Sequence, residues 1–260
     1  MSFAALVAAA DRIDGGLALS VPETWHQGRT AYGGFSSALA LSAAMRLADD
    51  LPPLRSAQLS MIAPLNGRVE AHARVVRRGR NATWVAAEIS GEAGVGFIAS
   101  FVFMGPVAST LHLNEHVLPE GLIAVDAAEN FAFRPHSPAF LRNHFEVRFA
   151  QPRGEDKQPQ MCWWVRLADR AGIDPMVELM LCADGLPPGV MPLLSPGVPV
   201  STMHWQVNLL TPAPVTDDGW WLLRSRGDYA EKGCSSQRMD LWNARGEAML
   251  AGMQSIALFG

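Results

Sequence analysis

No stretch of this 260-residue chain is long and apolar enough to span a membrane, although 49% of it is hydrophobic. Basic charge is not in excess: 21 Lys and Arg stand against 25 Asp and Glu, a formal charge of −4. That balance gives no basic surface to draw in nucleic acid. Cysteine is scarce. Cys162, Cys182 and Cys234 are widely spaced and form neither a CxxC pair nor an even disulfide set, which suits a reducing compartment. There is no HExxH, and the seven histidines are scattered, so no metal set is evident. GxGxxG and P-loop signatures are also missing, and nucleotide hydrolysis and hydride transfer lose their sequence support. The first residues, MSFAALVAAADRIDG, have no basic start and are interrupted by Asp11, Arg12 and Asp14. They read as an edge helix and not as a signal peptide. The expectation is a cytoplasmic protein without cofactor or metal.

What is present is a pattern stated twice. Tyr32-Gly33-Gly34 leads into FSSALALSAAMRLADD, a helix rich in small residues that can lie close to a sheet. Asp49-Asp50 and Pro52-Pro53 end it. In LRSAQLSMIAP, Ala57, Leu59, Met61 and Ala63 alternate with Ser56, Gln58 and Ser60, the period of a half-buried strand. Asn66-Gly67 turns the chain into RVEAHARVV, and TWVAAEIS and VGFIASFVF follow as two more strands. Short connections predict an antiparallel sheet packed on one helix. Residues 105–139 lack periodicity and read as a linker crossing between the halves. FLRNHFEVRFA and MCWWVRLA read as strands around the charged loop QPRGEDKQPQ.

The second copy has the same order and different chemistry. Its helix runs from Gly172 to Asp184, with Pro175 in the first turn. Val177, Met180, Leu181 and Asp184 share one stripe, which puts a carboxylate on an apolar face; the alternative is a helix fraying at Cys182, with Asp184 capping a turn. In VSTMHWQVNL, simple alternation sets Met203, Trp205, Val207 and Leu209 against Thr202, His204, Gln206 and Asn208. In the last strand Gln254 shares a face with Leu250, Gly252, Ile256 and Leu258. A buried amide there needs polar partners, unless the strand is an edge with that face wet.

Taken together, LCAD at 181–184, VSTMHW at 200–205 and MLAGMQSIALF at 249–259 resemble the TesB-like acyl-CoA thioesterases, the double-hotdog family. GRTAYGGFSSALALSAA is similar to that family's entry into its first helix, and the resemblance covers nearly all of the chain from Gly28 to Phe259. It implies an α+β fold of two tandem hotdog modules, each a central helix wrapped by an antiparallel sheet. The corresponding division is residues 1–110, a linker at 111–139, and residues 140–260. It also implies hydrolysis of acyl-CoA to a carboxylic acid and CoA through a water held by Asp184, Thr202 and Gln254, and a homo-oligomer, a dimer of double hotdogs. A backbone N–H at Gly34 is the oxyanion candidate, with the field of the helix start behind it. Met61, Met180 and Met203 are candidates for the apolar lining. Arg29, Tyr32, Gly33, Arg78, Arg80, Asn81 and His204 are candidate substrate contacts, the arginines for the CoA phosphates. Met203, His204 and Trp205 depart from the family's pattern after the threonine. Two other readings therefore stand beside hydrolysis: a hydratase or dehydratase using Asp184 with His204, and an acyl-CoA binder without turnover.

Overall fold

The computed structural model describes residues 1–152, 154 and 157–260. After a short N-terminal helix α1 (Phe3–Ala8), strands β1 (Asp11–Ile13) and β2 (Gly16–Val21) form a hairpin, and a small ribbon joins β3 (His26–Gln27) to β4 (Thr30–Ala31). Helix α2 (Gly33–Met45) follows, then β5 (Leu54–Met61), β6 (Gly67–Arg78), β7 (Ala82–Gly91) and β8 (Gly94–Met104). The second half brings α3 (Ala139–His144), β9 (Phe145–Phe149), β10 (Gln160–Leu167), α4 (Pro175–Ala183), β11 (Val200–Leu209), β12 (Trp221–Glu231), β13 (Cys234–Asn243) and β14 (Ala248–Leu258). The helix-and-four-strands order thus occurs twice, as the periodicity predicts.

All the long strands join one antiparallel sheet, in the order β1-β2-β6-β7-β8-β5-β11-β14-β13-β12-β10-β9. The order is symmetric about the β5–β11 pair, where Leu59 faces Trp205 and Ala57 faces Val207. Each half wraps its own helix, and the two helices pack on each other. The architecture is a double hotdog. Helix α2 is buried on every side from Gly34 to Ala44. Its small residues allow that depth, and the hydroxyls of Ser37 and Ser42 satisfy themselves on the carbonyls of Gly33 and Ala38. Helix α4 is capped by Asp174, whose carboxylate accepts from Met176 and Val177, and residues 176–183 are all buried. Aromatic side chains fill the rest of the core, among them Phe35, Phe97, Phe101, Trp205 and Trp221. Burial of each stabilises by about 1.5–3 kcal/mol.

Two stacked pairs tie the halves together. Trp25 lies 3.7 Å over the ring of His144, and Tyr32 lies 3.8 Å over Phe140. Both partners from the second half belong to α3, where alternation predicts a strand. Residues 139–144 are helical instead, because one helical turn presents Phe140 and His144, four apart, to the first half. The strand begins only at Phe145. The segment before α3 runs along the second half: Phe131 N–H bonds Val147, Phe149 N–H bonds Glu129, and the Trp164 indole donates to the Ile123 carbonyl. It covers the free edge of β9 and a cluster of Trp164, Trp220 and Trp242.

Candidate active site

The C-terminal end of α4 meets the N-terminal start of α2, and the two glycines make the approach possible. A Cβ on Gly34 would lie 2.5 Å from the Leu181 carbonyl oxygen, and one on Gly33 would lie 2.5 Å from Asp184 Oδ2. Asp184 is the C-cap of α4. It follows the buried stripe of Val177, Met180 and Leu181, and α4 runs unbroken to Ala183, so the alternative of a helix fraying at Cys182 is not what is found. Its carboxylate sits deep in the fold with one side open to a cavity. Oδ1 accepts from Gln254 Nε2 at 2.7 Å, and the Gly34 N–H also donates to the carboxylate. Burial pushes the Asp184 carboxyl up to about 7, against the pull of those two donors.

Gln254 is 4% exposed and lies in the middle of the sheet, since β14 runs between β11 and β13; the edge-strand alternative is not what is found. Its Oε1 accepts from Gln237 Nε2 at 2.8 Å, and Gln237 Oε1 accepts from the Gly189 N–H at 2.7 Å. Gln237 is a member of the site's polar network that the sequence reading did not single out. The signal was there: it shares its face with Met239 and Leu241 on an alternating strand, as Gln254 does on its own.

Thr202 reaches the same cavity by a different route from simple alternation. A β-bulge at Met203 separates Thr202, opposite Ile256, from His204, opposite Ser255. The extra residue turns Thr202 to the inner side with Trp205 and Gln254, while His204 stays outside, with Nδ1 3.1 Å from Ser60 Oγ. Grouping Thr202 with His204 on one face is therefore corrected, and with it the pairing of His204 with Asp184.

The cavity holds about 210 Å³. Asp184, Thr202, Gln254, Gly33 and Ser36 form its polar wall, and Met61, Ile62, Phe97, Leu186 and Val200 its apolar wall. Among the described residues, Asp184 is the one titratable side chain that lines it. Met180 is buried in α4 and does not reach the cavity, and neither does Met203. Other sequence candidates also lie elsewhere. Tyr32 is fully buried and donates to the Leu181 carbonyl at 3.0 Å, so it braces the helix junction and does not face substrate. Arg78, Arg80 and Asn81 line a separate depression, where Arg78 pairs with Asp50. They sit at the far end of β6, roughly 30–40 Å along a twelve-residue strand from the Leu65 side of the cavity. Arg29 stands at the β3–β4 turn, between the cavity-lining residues Gln27 and Thr30. Among the described residues no cluster of His, Cys, Asp and Glu could hold a metal ion, and no helix is long and apolar enough to cross a membrane.

Two family descriptions match the chain. "Acyl-CoA thioesterase N-terminal domain" matches residues 21–104, and "Acyl-CoA thioesterase C-terminal domain" matches residues 119–258. The chain belongs to the acyl-CoA thioesterase family. No curated protein sequence matches this family member. Among solved structures, the thioesterase-family chain is similar to a conserved hot dog protein of unknown function from Alicyclobacillus acidocaldarius, at TM-score 0.87 and 19% identity over 100% of this chain and 99% of that one. It is similar to acyl-CoA thioesterase II TesB2 from Mycobacterium marinum, at TM-score 0.77 and 15% identity over 98% and 97%. It is also similar to the dehydratase domain of RzxB from Pseudomonas fluorescens, at TM-score 0.54 and 14% identity over 98% and 99%. At these identities the likeness is one of fold.

Proposed function

We propose that this chain hydrolyses acyl-CoA thioesters, with Asp184 as general base for a water attacking the thioester carbonyl. The observation that carries the reading is the cavity wall: one carboxylate, oriented by Gln254 and the Gly34 N–H, open on its remaining side to a cavity that Thr202 also lines. A carboxylate offers about four acceptor positions, and two are taken, so acceptor capacity is left for a water. Thr202 completes that water's hydrogen bonds and turns its lone pair toward the carbonyl. Asp184 removes a proton as the oxygen–carbon bond forms, and returns it to the departing CoA sulfur when the tetrahedral intermediate collapses. A base near 7 takes a proton from water better than an ordinary carboxylate and is still about half ionised at neutral pH.

Negative charge develops on the carbonyl oxygen. The Gly34 N–H is already engaged by Asp184, which removes it as a free oxyanion donor. Stabilisation then falls to the positive end of α2, whose first residue Gly33 lines the cavity. The Met61, Ile62, Phe97 and Leu186 side receives the acyl chain. Arg29 at the rim is the candidate for the CoA phosphates. The hydratase reading needs a histidine beside the carboxylate, and no histidine lines the cavity among the described residues.

A thiol-release assay over acyl-CoA chain lengths tests the activity, and a single turnover in ¹⁸O-water tests the route. Direct water attack puts the label in the product acid in the first turnover. Label retained in the protein instead points to an acyl-enzyme at Asp184. Loss of enoyl absorbance without thiol release contradicts hydrolysis in favour of hydration.

A further inference from the structure

We propose that Gln237, which lies outside the cavity, is a positioning residue for Asp184: it fixes which end of the Gln254 amide faces the carboxylate. This rests on the hydrolytic reading of Asp184 for its link to catalysis. A glutamine side chain can present either its oxygen or its NH₂, and the two orientations act oppositely on a neighbouring carboxyl. NH₂ donates to the ionised form, whereas oxygen accepts from the protonated one.

The orientation here is set from a fixed origin. The chain of bonds begins at a backbone N–H, that of Gly189, which can only donate. Gln237 must therefore turn Oε1 to Gly189 and Nε2 to Gln254, and Gln254 must then turn Oε1 to Gln237 and Nε2 to Asp184. Reversing either amide sets donor against donor or acceptor against acceptor. Gln237 is 1% exposed, so water is not at hand to repair a mismatch.

The origin itself is pinned. A Cβ on Gly189 would lie 2.6 Å from the backbone N of Gly227, and one on Gly227 would lie 2.6 Å from Val190 Cγ1. Ser225 Oγ donates to the Pro187 carbonyl, and the Gly227 N–H donates to Pro159. The stretch after α4 is thus held against β12, and its N–H cannot swing. Other titratable groups near Asp184 are the Tyr32 phenol before α2 and the Cys182 thiol of α4, both kept neutral by burial. The cavity-lining residues of β5, β8, β11 and β14 carry none.

Replacing Gln237 with methionine keeps the volume and removes the relay. Two readouts are taken from pH 5 to 9: thiol release from acyl-CoA, and the ¹³C shift of the Asp184 carboxyl, assigned by its loss in Asp184→Asn. The expected result is an upward move of the midpoint by about one unit in both, because the donor to the ionised form is no longer enforced. In a Gln254→Met background the same substitution should add nothing, since the effect passes through Gln254. A midpoint that stays put in Q237M, or shifts that add in the double variant, overturns the proposal. If wild-type protein releases no thiol while the ¹³C midpoint still moves, the hydrolytic reading fails and the positioning of Asp184 by Gln237 is supported. Should Q237M not fold, the wild-type side-chain amide ¹⁵N of Gln237 must titrate with the Asp184 midpoint. A flat resonance there overturns the relay.

Discussion

Asp184 is expensive for the fold. Its carboxyl goes from an ordinary value of 3.8 to about 7, because burial penalises the charge more than Gln254 and Gly34 relieve it. Between those two values the folded state holds more protons at this site than the unfolded state does. Stability from this group therefore falls as pH rises from about 4 to about 7. Asp184→Asn should melt higher than wild type at pH 8, by about 1–3 kcal/mol, with the gain gone near pH 4. The figure is below the full linkage value because the cavity solvates one side of the carboxylate. Thermal melts of both proteins across that range check it, and a gain independent of pH contradicts the assignment. Sequence spacing revealed this residue as a polar intruder on an apolar stripe, and Gln254 in the same way. Gln237 offered the same signal on its own strand. The Arg78, Arg80 and Asn81 cluster misled for a physical reason: composition at a turn does not say which end of a sheet the turn occupies.

At the level of elements, the junction of α2 with α4 and the bulge in β11 do most of the positioning. The two junction glycines should respond differently to alanine. In Gly33→Ala the new methyl meets Asp184 Oδ2, so turnover should drop about 100-fold with little change in melting. In Gly34→Ala it meets the Leu181 carbonyl and the Tyr32 ring, so the helices must part and stability should fall by about 1–3 kcal/mol. Steady-state kinetics beside melts separates the two; equal effects on both measures count against the geometry. Deleting Met203 removes the bulge and sets Thr202 directly before the outward-facing His204, so Thr202 stays opposite Ile256 on the inner face and turnover should remain within about 10-fold of wild type; a loss beyond about 100-fold counts against the bulge. The helices and long strands were legible because their apolar periods are regular. The bulge was not, because one extra residue leaves no compositional mark and reverses every assignment on one side of it. The α3 turn was hidden likewise, since FLRNHF reads as well with period two as with one turn of helix.

Across the whole molecule, the site belongs to neither half. Gly33 and Gly34 come from the first module and Asp184, Thr202 and Gln254 from the second, so the seam must hold for the site to exist. His144 is part of that seam, and burial against Trp25 pushes its imidazole down to about 4 from 6.5. Between those values the unfolded state binds the extra proton, so stability from this contact is present above about 6.5 and is lost as pH falls through 4. Replacing His144 with phenylalanine should flatten the acid side of the stability curve by about 1 kcal/mol, a modest figure because the ring is only half buried. Denaturant titrations at pH 4.5 and 7.5 measure it; an unchanged slope speaks against a neutral His144. The duplicated pattern announced two modules, and the sequence already put the glycine-opened helix start in the first and Asp184, Thr202 and Gln254 in the second; that these groups meet where α2 and α4 join became plain only from the contacts between the halves. The most direct test of the account is thiol release by wild type and Asp184→Asn, side by side from pH 5 to 9. The account predicts a wild-type kcat/KM that rises to a plateau with a midpoint about 7, and a variant that still binds acyl-CoA but turns over about 100- to 10,000-fold more slowly. Equal turnover by the folded variant, or a wild-type profile flat across pH 7, would contradict it.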